Sequence, residues 1–224
     1  MFILYKMFRA KSDAIQIGTD QIKIPCRNGL SFGPREEIVW DIPRNVGFAD
    51  LSNAYVEVDV RIENPNNSDA QEAATPCLMF DRVTGANSAV NQVTIRSDGR
   101  LLEQLYPYNT FAQVHYGATA DEGMTNKRTR LEGCAKSYRI LDNPFVVPNR
   151  ATISDNDPIG NNVDLDDAAE CWQYVTRKVC LPLLGGVFTN PRSHPCMAVP
   201  LTVHLLLENA LRCLRVVHCG GTQG

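Results

Sequence analysis

The sequence predicts an all-β fold: one antiparallel sandwich with one short helix and long loops. Three observations carry this. Apolar residues recur at every second position in several segments. Those segments are short and end in Gly, Pro, Asn or Asp, which supply turn geometry. No internal repeat or interdomain linker interrupts the 224 residues, a length one sandwich or barrel can fill.

Taken in order, Ile15-Gln16-Ile17 and Ile22-Lys23-Ile24 read as strands around a Gly18-Thr19-Asp20 turn. Ile38-Val39-Trp40-Asp41-Ile42 reads as a strand stopped by Pro43. The clearest alternation is Tyr55 to Ile62. Val56, Val58, Val60 and Ile62 share one face, and Tyr55, Glu57, Asp59 and Arg61 the other. Asn64-Pro65-Asn66-Asn67 ends it. Gln92 to Arg96 runs into Ser97-Asp98-Gly99, a hairpin turn signal. From Arg100 to Val114, Leu101, Leu105, Tyr108, Phe111 and Ala112 fall near one helical face, with Pro107 expected to kink it. Residues 117–124 read as a loop, and 148–167, dense in Asn, Asp and Pro, as an exposed excursion. Tyr174 to Leu184 reads as a strand ending at Gly185-Gly186. Val199 to Leu207 alternates again, with Pro200 marking an edge or first-residue position. Leu211 to Val217 closes the pattern.

Composition narrows the function. Hydrophobic residues are 44% and charged residues 21%, as in a globular chain. Net charge is −3, and the basic clusters are small: Lys6, Arg9 and Lys11, then Lys127, Arg128 and Arg130. Coating nucleic acid requires many phosphates to be neutralised, so direct nucleic-acid binding is not expected. The apolar runs at Met1–Tyr5 and Leu205–Leu207 are too short for a signal core or a membrane span. The expectation is a soluble chain made in the cytosol. The eight cysteines are scattered without a C-x-x-C pair and are expected to be mostly reduced and structural. The sequon Asn66-Asn67-Ser68 does not by itself argue for secretion.

Three motifs invite chemistry. Gly29-Leu30-Ser31-Phe32-Gly33 matches the nucleophile elbow of hydrolases, which needs a strand before it and a helix after it. Here strand-like Ile38-Val39-Trp40 follows, so a turn between strands is expected and Ser31 is only an alternative nucleophile. His194 lies near Cys196, and Cys213 near His218 and Cys219, but finger-like zinc spacing is missing. The remaining histidines, His115 and His204, join no such group. Asp155-Asn156-Asp157-Pro158-Ile159-Gly160 begins like a calcium loop, yet Ile159 sits where a ligand belongs and Asp166 where a bidentate Glu is usual. The reading is therefore no enzyme, no catalytic residue, no cofactor and no metal.

In order, four stretches resemble the vertical jelly-roll capsid proteins of viruses: Asp41–Val58, Gly85–Ile95, Ser97–Glu103 with Tyr108-Asn109, and Val179–Phe188 with Pro200–Glu208. The chain is similar to one half of a double jelly-roll major capsid protein of adenovirus-like or polinton-like DNA viruses. The resemblance implies a single jelly roll over 36–219, after an N-terminal arm and first strands at 1–35 and before a tail at 220–224. The second roll would come from another chain, be dispensed with, or lie outside a fragment. It further implies a structural subunit of an icosahedral capsid. Such a subunit is made in the host cytoplasm and found in the virion. It packs against copies of itself or other capsid proteins and can contact a receptor through its loops. A β-sandwich binding module using 117–130 and 148–167 is the rival expectation, and a Ser31 or Cys–His hydrolase the third.

Overall fold

The computed structural model describes residues 2–7, 19–63, 71–72, 76–148 and 171–217. It is mostly β-sheet. Strands β1 (Phe2–Met7) and β2 (Thr19–Ile24) come first, then β3 (Glu37–Ile42) and β4 (Phe48–Val60). The short β5 (Gln71–Glu72) and β6 (Cys77–Phe80) precede a 3-10 turn, Gly85–Ala89, and the hairpin of β7 (Val90–Ser97) and β8 (Arg100–Leu105). Two helices follow, α1 (Tyr108–Thr119) and α2 (Glu122–Leu131). The rest is β9 (Val146–Pro148), β10 (Cys171–Tyr174), β11 (Arg177–Pro182), the one-turn α3 (Gly186–Thr189), β12 (His194–Pro195), β13 (Leu201–Leu207), the one-turn α4 (Ala210–Cys213) and β14 (Leu214–Val217).

Two larger antiparallel sheets organise these strands. In the first the order is β11-β4-β1-β2, with β12 also pairing β4. In the second it is β3-β13-β7-β8. Smaller sheets join β5, β10 and β9, and β14 with β6. The two large sheets share one core. Val56, Val179 and Leu181 enter it from the first sheet; Trp40, Ile95 and Val203 from the second; Tyr108 and Ala112 from α1. A smaller cluster of Cys77, Met79, Ala135, Ile140, Trp172 and Val217 lies under the small sheets.

The alternation read from sequence is found in β4. Val56 and Ile62 are buried, Val58 and Val60 pack half-buried on the core, and Asp59 and Arg61 are exposed. The same holds in β13, where Leu201, Val203 and Leu205 are buried. Pro200 sits just before β13, which is nonetheless an interior strand of its sheet. The hairpin turn is also as expected. Asp98 and Gly99 both have positive φ, 46° and 79°, which matches the twist of the flanking strands.

Other expectations are corrected. Residues 100–114 are not one kinked helix: Arg100–Leu105 is strand β8, zipped to β7 by the Asp98-Gly99 turn, and Pro107 is the N-cap of α1. Proline lacks an N–H and fixes φ, so it suits a helix start better than its middle. The loop expected at 117–124 is helical at both ends, and most of 117–130 lies in α1 and α2. Asp121 starts α2 by accepting a hydrogen bond from the Met124 N–H at 2.6 Å. Among the described residues there are thus two helices of several turns rather than one. Thr19 and Asp20 belong to β2, not to a turn. Within Tyr174–Leu184 the strand is β11, with Tyr174 the last residue of β10, and Leu211–Val217 is the end of α4 and β14. Ile15–Ile17, the Asn64–Asn67 turn and most of the 148–167 excursion lie outside the described residues.

Candidate assembly surface

The residues singled out for chemistry are dispersed. Ser31 is exposed in a loop joining β2 to β3, with no helix after it, so the elbow geometry is missing. His194 donates from Nε2 to the Val199 carbonyl, 2.8 Å away, while Cys196 is fully buried. Burial pushes the Cys196 and Cys213 thiols up to about 11, and Cys134 up to about 12, where they are poor nucleophiles. His204 pairs with Glu37 at 3.1 Å, and His115 stacks on Phe111. Among the described residues, no three His, Cys, Asp or Glu side chains gather as a metal would require. The acidic stretch 155–167, His218 and Cys219 lie outside the described residues. No helix among the described residues is long and apolar enough to cross a membrane.

What the fold does bring together is an internal clamp behind α1 and α2. Arg128 donates from Nε and Nη2 to the two carboxylate oxygens of Glu132, at 3.0 and 2.9 Å. Its guanidinium lies 3.5 Å from the centre of the Tyr116 ring. Asn87 donates to Glu132 at 2.8 Å, and the Glu132 carbonyl accepts from the Ala86 N–H at 2.9 Å. The turn Gly85–Ala89 is thereby tied to the end of α2. Gly85 must be glycine here: its φ is +55°, and a Cβ would lie 2.6 Å from the Glu132 carbonyl. Burial pushes the Glu132 carboxyl above the usual carboxylate range, opposed by Arg128.

A second hub faces the same turn. Asp81 Oδ1 accepts from the Val83 and Thr84 N–H groups and the Thr84 hydroxyl, and Oδ2 from Tyr138 and Arg215. A third contact holds β8. The Glu103 carboxylate accepts from the Gly186 and Val187 N–H groups at 2.6 and 3.0 Å, fixing α3 beside the strand.

The two edges of the second sheet are treated differently. At β3 the edge is covered. Arg27 donates its N–H to the Val39 carbonyl at 2.7 Å, and Asn28 bonds both the Glu37 carbonyl and the Val39 N–H. At β8 the described residues pair with β7 alone. Leu101 and Leu102 there are 53% and 48% exposed, with Leu102 the extra residue of a β-bulge opposite Ile95 and Arg96, and Tyr106 follows. Next to it α1 turns Phe111 and Val114 outward while burying Tyr108, Ala112 and Tyr116. A strand edge without a partner is a template for pairing with another chain; β8 carries Arg100, Glu103 and a bulge, which blunt such pairing, beside its exposed leucines. The spacing in the sequence places Leu101 near a helical face. The Asp-Gly turn before Arg100 was the signal that could have placed it on a strand.

A scan against protein-family models finds no match, and no curated protein matches the chain significantly.

Proposed function

We propose that the chain is a structural subunit of an icosahedral viral capsid, built as one jelly roll and assembling with copies of itself or with other capsid proteins. The observation that carries this reading is the β8 edge, which pairs no second strand among the described residues and exposes Leu101, Leu102 and Tyr106, in a sheet whose opposite edge is covered by Arg27 and Asn28. The strand wiring supports the jelly-roll form. β3, β7, β8 and β13 enter one sheet while β4 and β11 enter the other, so the chain passes repeatedly from sheet to sheet across a shared core. The stretches that resemble capsid proteins fall on these elements: 85–95 on the buried turn and β7, 97–103 on the hairpin, and 200–208 on β13. In a closed shell, symmetry repeats each contact, so modest interfaces suffice. The site of action is the virion, with synthesis in the host cytoplasm. No part in direct nucleic-acid binding or catalysis is assigned, and receptor contact would fall to loops.

Sedimentation of the purified chain at rising concentration, followed by electron microscopy, tests the reading. Self-association, or recruitment of a partner chain from its source, is expected. Substituting Leu102→Lys should weaken it while leaving the fold intact. A chain that stays strictly monomeric and recruits no partner would overturn the proposal in favour of a β-sandwich binding module.

A further inference from the structure

An open depression of about 140 Å³ lies between the start of α1 and the α4–β14 segment. Its wall includes Asp81, Ser88, Thr110, Gln113, Arg212 and Arg215. The donors and acceptors around it do not balance. Asp81 is saturated: its two oxygens receive the five donors named above, among them Arg215 Nε at 3.1 Å. The Ser88 hydroxyl lies 2.8 and 3.1 Å from the Gly85 and Cys213 carbonyls, and its one hydrogen is taken by these two acceptors. Asn109, also on the wall, donates to Glu208 and accepts from Thr110. Glu208 nearby also accepts from the Asn209 N–H.

What remains is donors. Among the described residues no carboxylate pairs with Arg212, and Arg215 spends only Nε on Asp81, leaving its terminal nitrogens. The exposed Gln113 side chain makes no hydrogen bond there either. Two guanidinium groups and an amide thus face a polar recess whose own carboxylate is already satisfied. Guanidinium donors in a fixed fork match the paired oxygens of a carboxylate or phosphate.

We infer that this depression is an oxyanion-binding site, sized for one carboxylate or phosphate group, with Arg212 as the principal ligand and Arg215 and Gln113 beside it. The inference does not depend on the capsid reading. Side-chain NMR of the arginine Nε–H groups in the intact chain tests it, titrating inorganic phosphate and glutarate separately against sodium chloride at matched ionic strength. Saturable shifts at Arg212 and Arg215 are expected, with a dissociation constant of order 1 mM. Arg212→Gln and Gln113→Ala alter exposed side chains and should keep the fold. The first should weaken binding about tenfold or more, as loss of a charge-assisted contact does, whereas Arg100→Gln, on β8, should leave it unchanged. Tighter phosphate binding would assign a phosphate source, and equal or tighter glutarate binding an acidic side chain of another protein. Absence of saturable binding for either anion, or binding that survives Arg212→Gln, would overturn the inference.

Discussion

Arg128 and Glu132, one helical turn apart, form a two-pronged ion pair in which each side chain is only 6% exposed. Removing one partner leaves a buried charge without its counterpart, which costs about 3–5 kcal/mol. Glu132→Gln and Arg128→Met should each lower the urea midpoint strongly. The double variant Arg128→Met/Glu132→Gln should recover part of the loss, because it leaves no unpaired charge. Additive losses in the double-mutant cycle would contradict this role for the pair.

Acid should destabilise the chain through Asp81. Burial works to raise its carboxyl, but the Val83 and Thr84 N–H groups and Arg215 overcome this and hold it below the usual carboxylate range. A depressed folded-state pKa gives stability that is present above the unfolded value and lost as pH falls through the folded one. Asp81→Ala should cost about 1–3 kcal/mol near neutral pH, by leaving backbone donors unsatisfied. It should also flatten the acid limb of a stability–pH profile. An unchanged acid limb in that variant would assign acid lability elsewhere.

Val56 sits in mid-strand between β1 and β11, opposite Phe2 on one side and Leu181 on the other, and is 1% exposed. Val56→Asp should abolish soluble folding, since an unpaired buried charge costs several kcal/mol, roughly a large part of a domain's stability. Val58→Asp, at a half-buried position, should be damaging but less so. Far-UV circular dichroism and soluble yield read both outcomes.

Thiol reactivity should follow depth. Cys77, Cys134, Cys196 and Cys213 are buried, while Cys26 and Cys180 are half-buried, and none of these six is in a disulfide. Alkylation of native protein followed by mass spectrometry should label Cys26 and Cys180 first. The four buried thiols should react only after denaturation. Rapid native labelling at Cys134, whose thiol burial pushes up to about 12, would show that the α2 end opens readily.

Much of the sheet framework is legible in the sequence because its signal is local. Val56 to Ile62 and Leu201 to Leu207 alternate cleanly, and Asp98-Gly99 writes its own turn. Leu101, Leu105, Tyr108 and Ala112 mislead because apolar residues three or four apart mimic a helical face, while the real boundary lies at Pro107. α2 was missed for another reason. Its residues are polar nearly throughout, so it has no apolar stripe, and its burial comes through Arg128, which in sequence looks like part of a solvated basic cluster. Only the arrival of Tyr116 and Asn87 from other elements makes that arginine internal. The open β8 edge was unreadable likewise, because edge status depends on which strands end up as neighbours.

The pairing of β3 with β13 also sets a timetable. Ile42 meets Leu201 and Glu37 meets Leu206, so these partners are 159 and 169 residues apart in the chain. At synthesis rates of roughly 5–20 residues per second, β3 waits on the order of 8–30 s for its neighbour to be made. During that wait Trp40, later 1% exposed, has no finished sheet to enter. Contacts so distant along the chain also slow folding itself, because the long loop must close before they form. The nascent chain therefore carries β3, with Trp40 in it, without its strand partner through most of its translation.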